Sequence, residues 1–185
     1  MAQSLQNSEK SSFAAITSCL SSHRPIKRLQ TTLNSYGMGI MKIFGYGTFI
    51  TSEIYRNFQN VRAAFLSGFI RIQRPLDPFP FILKLDSSNT KKGFWGLVFD
   101  VDQKGLAQLD YYEGLLYSRI PVSVLYSDGS KDEVMVYYPT KETISNYQLV
   151  DYISDDDPWR KRIMKRHRDI LEQFPELEQK SPPEV

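Results

Sequence analysis

The stretch "LDYYEGLLYSR", residues 109–119, closes a run of helical spacing (Leu106, Leu109, Tyr112) at Gly114, and the residue before that glycine is a carboxylate, Glu113. The C-terminal end of a helix carries partial negative charge, so a cation is the favoured occupant there. Burial among Tyr111, Tyr112, Leu115 and Leu116 would disfavour ionisation further. Both effects push the carboxyl pKa upward, toward the range where one group can take a proton and return it at neutral pH. The competing reading is an exposed helix-end glutamate with an ordinary pKa, and the stretch alone leaves both open. A second stretch, "FGYGTF" at 44–49, sets glycines on either side of a tyrosine. Such a turn can aim several backbone N–H groups one way and make a nest for an anion. Taken alone it reads equally as a common strand-to-helix turn.

Other routes to chemistry have little material. The chain of 185 residues has one cysteine, Cys19, and two histidines, His23 in the N-terminal segment and His167 in a basic C-terminal stretch. An intrachain disulfide is therefore excluded, and neither a cysteine-based metal site nor a Ser-His-Asp or Cys-His arrangement is expected. The net charge of +2 is too small to argue for nucleic acid. No apolar run approaches the length that spans a bilayer. The expected compartment is the cytoplasm.

The elements that must position the two stretches are mostly strands. "MKIFGYGTF" starts as a strand and breaks at Gly45 and Gly47, and "EIYRNFQN" reads as a short amphipathic helix. "VRAAFLSGFIRIQ" reads as one long strand with a bulge or bend at Gly68. "RPLDPFPF" is expected to be irregular. "FWGLVFDVD" is a strand and "QKGLAQLDYYEG" the helix that ends at Glu113. Alternating Ile120, Val122 and Val124, a turn at 127–130, and alternating Val134, Val136 and Tyr138 make a hairpin. Asp157 can cap a helix with Pro158 in its first position and Trp159, Ile163, Ile170, Leu171 and Phe174 on its apolar face. Strands outnumber helices and do not alternate with them as βαβ units. The fold class expected is α+β, a small curved, barrel-like mixed sheet with short flanking helices.

Three segments follow from composition. Residues 1–40 are rich in Ser, Thr, Gln and Asn, with Glu9 as their only acid, and are expected to be a disordered extension. The same residues also read as a transit peptide, which would make the compartment an organelle, or as a start codon set too early before Met38 or Met41. Residues 41–150 form the central domain, and 151–185 a basic amphipathic helix and tail.

The order of the motifs resembles the γ-glutamylcyclotransferase-like family over residues 42–138. Its usual pattern is a strand ending in Y-G-[TS], a Y-P-A-type segment, a G-x-x-[YF]-x-[IV] strand, then L-D-x-x-E-G and Y-x-R. Tyr46, Gly47 and Thr48 match the first, and Phe79, Pro80 and Phe81 loosely match the second. Gly96 to Val101 match the third, Leu109, Asp110, Glu113 and Gly114 the fourth, with Tyr117 and Arg119 after them. The chain departs from the pattern at Gly45, where a bulky apolar residue is usual, at Phe49, where leucine is common, and in the aromatic Y-P-A segment.

The resemblance implies intramolecular aminolysis of a γ-glutamyl compound to 5-oxoproline with release of an amine, without metal or organic cofactor. It makes Glu113 the general base and acid, and Tyr46, Gly47, Thr48 and Phe49 the substrate-binding turn. The partner implied is a small γ-glutamyl molecule, with no membrane or nucleic acid, on a monomer or weak homodimer. Arg119 is read as pairing with Asp110, although a substrate carboxylate is an alternative. Asp110 is read as hydrogen-bonded rather than acting on Glu113. One of Tyr137 and Tyr138 is expected to reach the pocket mouth, since alternation lets only one face inward. A different class of function rests on Arg160, Lys161, Arg162, Lys165, Arg166 and Arg168: a non-catalytic small-molecule or polyanion-binding module, with Glu113 inert.

Overall fold

The computed structural model describes residues 39–75, 77–86 and 92–183. The expectations for residues 1–37 lie outside them. Residues 39–185 form one compact unit, and its centre is a five-stranded closed barrel. The strands are β1 (Met41–Gly45), β2 (Gln59–Ser67), β5 (Gly93–Val101), β6 (Tyr117–Tyr126) and β7 (Lys131–Pro139). Around the barrel they run β1-β5-β2-β6-β7. Neighbours are antiparallel, except that β1 and β7 close the ring in parallel, with Ile43 opposite Met135 and Phe44 opposite Val136.

Alternation along each strand fills the interior. Phe44, Ala64, Leu66, Phe94, Val98, Val122, Val124, Val134 and Val136 belong to one buried cluster. The residues between them on β1, β2 and β5 are also buried: Ile43, Phe65, Trp95, Leu97 and Phe99 are at most 2% exposed. The outer face of these strands is therefore covered too, which explains their near-continuous apolar sequence. Phe58 stacks on Phe99 with ring centroids 5.0 Å apart.

The long strand expected across Gly68 is two strands. Gly68 takes φ +74°, in the region L-residues rarely enter, and turns the chain out of the barrel. β3 (Phe69–Ile72) then pairs with β4 (Phe81–Lys84) as a separate two-stranded sheet. Residue 81, at the end of the segment expected to be irregular, thus opens a strand and is fully buried. The helix expected over 53–60 is instead α1 (Thr48–Thr51) followed by a 3₁₀ turn, Ile54–Asn57.

α2 (Gln103–Glu113) follows β5 directly, and the Asp102 side chain caps it by accepting the Gly105 N–H. After the 117–139 hairpin comes α3 (Lys141–Asn146), capped by Thr140. The expected C-terminal helix begins as read: Asp157 accepts the Arg160 N–H, with Pro158 next. It is broken at His167 into α4 (Pro158–Arg166) and α5 (Arg168–Gln173). The break changes the helix axis while Trp159, Ile163, Ile170 and Leu171 all remain buried. Residues 175–183 continue along the barrel, where Leu177 is buried and Ser181 O accepts the Trp95 indole N–H. Among the described residues no helix is long and apolar enough to cross a membrane.

Candidate functional site

β1 ends at Gly45, and the chain turns into the four-residue α1, which buries Phe49 and Ile50. Its role is to hold the turn. Ile50 and Thr51 donate to Gly47 O, and Ser52 to Thr48 O. Among the described residues no hydrogen bond takes the N–H of Thr48 or Phe49. These first-turn donors have no partner within a helix, and they carry its positive end.

The packing accounts for one departure from the family pattern. A Cβ on Gly45 would lie 3.1 Å from the Phe99 ring and 3.2 Å from Phe49 Cβ. A larger residue at 45 would need both neighbours to give way. Gly47 is held differently, since a Cβ there would come within 2.9 Å of Pro80 Cγ. The proline ring therefore lies against the turn's backbone.

Facing the turn is the end of α2. Tyr46, Gly47, Thr48, Phe49, Phe79, Pro80, Tyr112, Glu113, Leu116 and Tyr117 line one cavity of about 160 Å³. All five residues singled out in the sequence are in that lining. Tyr112, Leu116, Phe79, Pro80 and Tyr117 complete it. Phe79, Pro80 and Tyr117 carried a signal, as parts of the Y-P-A and Y-x-R matches. Tyr112 and Leu116 were noted only as neighbours of Glu113.

Among the described residues, Glu113 is the one charged side chain in the lining. Among the described residues no cation is within ion-pair distance of it. Burial pushes its pKa up to about 8. Part of the residue still meets solvent through the cavity mouth, but the surroundings of the carboxyl group are aromatic and aliphatic. The neighbours responsible differ from those expected. Tyr111 is 78% exposed and Leu115 is 97% exposed, so both point away. Helix geometry separates them from Tyr112 and Leu116, which turn inward.

Two phenols stand beside the carboxyl group. Burial, with Tyr117 and Glu113 nearby, holds the Tyr46 hydroxyl well above its usual pKa, and it donates to Tyr137 O at 2.9 Å. Burial and the Glu113 charge raise Tyr117 likewise. Both remain protonated donors.

Asp110, one turn earlier, is engaged elsewhere. It accepts from the Tyr137 hydroxyl at 2.8 Å and pairs with Arg119 Nε at 3.1 Å, the structural pairing expected for Arg119. Neither Tyr137 nor Tyr138 lines the cavity. Tyr137 supports it from behind, its ring edge-on to Phe49 at 5.8 Å. Tyr138 packs on Phe69, and its hydroxyl accepts the Lys84 N–H.

Half of the C-terminal basic face is used within the fold. Arg160 donates to Glu178 O at 2.7 Å, Lys161 pairs with Asp156, and Arg162 donates to Pro78 O at 3.0 Å. Lys165, Arg166 and Arg168 are exposed.

Similar folds are known. A solution structure of an Arabidopsis thaliana protein is 22% identical, covers 76% of this chain and 92% of its own, and superposes with a TM-score of 0.52. A second Arabidopsis thaliana solution structure is 21% identical over 76% of this chain and 87% of its own, with a TM-score of 0.54. A structure described as a gamma-glutamyl cyclotransferase is 19% identical over 80% and 91%, with a TM-score of 0.49. No curated protein matches the chain. The family model described as "Gamma-glutamyl cyclotransferase, AIG2-like" matches residues 43–161, from the strand before the glycine turn through the whole barrel and into α4, and the chain belongs to that family.

Proposed function

We propose that this protein closes a γ-glutamyl compound to 5-oxoproline and releases the amine, with Glu113 carrying the proton. One observation carries the reading: a carboxyl group poised at about 8, with no cation beside it, shares a cavity with first-turn N–H groups that no described residue uses. The substrate's α-ammonium gives a proton to ionised Glu113, and the freed amine attacks its own γ-carbonyl carbon. The new C–N bond closes a five-membered ring and leaves an oxyanion on the former carbonyl carbon. Donors from Tyr46 to Phe49 are suited to hold that oxyanion or the substrate's α-carboxylate. Glu113 then returns its proton to the departing nitrogen as the old C–N bond breaks, takes the second proton from the ring nitrogen, and passes it to the freed amine. The products are 5-oxoproline and a protonated amine, and the carboxylate is restored. Ring closure within one bound molecule also removes the entropy of bringing two reactants together.

The Glu113 position suits a group that is charged only briefly. Its pKa leaves it largely protonated at neutral pH, while still allowing it to ionise and accept. The test is incubation with a library of γ-glutamyl amides and amines, reading 5-oxoproline by mass. Release from at least one member is expected. No release from any member removes the enzyme reading.

A further inference from the structure

The cavity walls have a chemistry that the cyclisation itself does not require. If the turn at 46–49 and Glu113 hold the γ-glutamyl group, the lining left for the departing amine is Phe79, Pro80, Tyr112, Leu116 and Tyr117. None of the five carries a charge, since burial keeps the Tyr117 phenol protonated. The cavity is also small, about 160 Å³ against the roughly 300–1,000 Å³ usual for ligand pockets, so the amine must extend through the mouth.

Among the described residues, the nearby arginines are engaged elsewhere. Arg74 lies 3.4 Å from Asp77 and over the Tyr147 ring, Arg162 is bonded to Pro78 O, and Arg119 is paired with Asp110. A carboxylate on the leaving group would therefore lose water without gaining a partner among the described residues, in a cavity where the charge they supply is that of Glu113. The Phe79 ring packs edge-on to Phe81 at 5.4 Å, and Phe81 stacks on Tyr117 at 5.8 Å. These contacts fix the Phe79 and Tyr117 rings in the lining. From these features we infer that the amine released is an aromatic one with no carboxylate, its ring lying against Phe79 and Tyr112.

The inference rests on the cyclisation reading, so its test separates the two. Three compounds are given to the full chain: γ-glutamyl-phenethylamide, γ-glutamyl-ethylamide, and γ-glutamyl-phenylalanine, which keeps the ring and adds a carboxylate. The phenethylamide is expected to exceed each of the others by about tenfold or more in kcat/KM for 5-oxoproline release. Phe79→Ala, checked for an unchanged melting temperature, is expected to shrink that preference. Turnover with no preference, or with the phenylalanine compound favoured, overturns the inference while cyclisation stands. If none turns over, binding of the same three to Glu113→Gln decides the matter. Tighter binding of the phenethylamide, lost in the additional Phe79→Ala variant, supports the aromatic selectivity and refutes only the reaction. Equal binding refutes the selectivity as well.

Discussion

The cavity at the end of α2 contains one charged side chain, whereas the cleft between β3, residues 154–157 and residues 179–182 contains many, Arg71, Lys92, Asp155, Asp157 and Arg160 among them. In the cleft these charges are matched. Arg71, buried beneath it, donates to Trp95 O at 2.8 Å, lies 3.4 Å from Asp157, and stacks over Phe94 at 4.4 Å. Lys92 pairs with Asp155 at 2.6 Å and holds that carboxyl below its usual range. Arg160 bonds the chain at Glu178, and Asp157 also caps α4. At Glu113 nothing matches the charge, and burial raises its pKa. The number of charged residues therefore says little about where chemistry sits. A charge left without a partner says more.

The largest effect that can break this contrast is on rate. Glu113→Gln keeps the shape of the side chain but cannot accept a proton, so 5-oxoproline release is expected to fall by roughly 10²–10⁴. Retained release would make Glu113 as inert as the matched charges of the cleft.

The converse substitution tests the cleft. Arg71→Met leaves Trp95 O without its donor and Asp157 without its cation, and a loss of about 2–4 kcal/mol in urea unfolding is expected. Turnover should change little. An unchanged midpoint would mean that the Arg71 contacts contribute nothing.

A pH series sharpens the comparison. The folded pKa of Glu113, about 8, lies above its ordinary value of 4.5, so the native state keeps a proton that the unfolded chain has given up. Its contribution to stability is full below about 4.5 and is lost as pH rises to about 8. Wild type and Glu113→Gln should therefore match in melting temperature near pH 4.5, and the variant should be the more stable above pH 8. Parallel curves would show that the carboxyl is solvated normally. The rate should run the other way, with kcat/KM rising toward pH 8 as the base ionises.

The smallest effect concerns the matched neighbour on α2. Tyr137→Phe removes the hydroxyl that donates to Asp110 and is expected to cost about 0.5–1.5 kcal/mol by urea unfolding. Asp110 keeps Arg119, and the Tyr137 carbonyl that accepts from Tyr46 is untouched, so turnover should persist. Loss of turnover would bring Asp110 into the reaction.

How far these features could be read from sequence depended on the range of the contacts behind them. The 117–139 hairpin was plain because its alternation and turn are local. The end of α2 was legible from its spacing and Gly114, and so was the unfavourable position of Glu113. Which neighbours bury Glu113 was not legible. Tyr111 and Tyr112 are alike as residues, and only the helix phase against a turn some 60 residues earlier sends one outward and one inward. Gly68 marked a bend, but β3 leaves the barrel because β4 offers it another partner, and β4 lies beyond a proline-rich segment with weak strand signal. The break at His167 had no glycine or proline to announce it. Phe79 and Pro80 were noticed through the resemblance, and their contact with Gly47 depends on the folded barrel.

The parallel seam between β1 and β7 has a consequence for how the protein is made. It joins the first barrel strand to the last, Ile43 to Met135 and Phe44 to Val136. All the barrel strands must be made before this seam can form, and contacts of such high sequence separation are slow to make. Tyr46 reaches Tyr137 across the same seam, and Phe49 rests on the Tyr137 ring. The seam therefore buttresses one wall of the cavity. A ribosome-bound chain that has emerged only as far as α2 already contains Glu113 and the glycine turn, yet lacks the strand that braces them together. Its carboxyl group would stay in water, and the burial that raises its pKa would first appear when synthesis delivers β7.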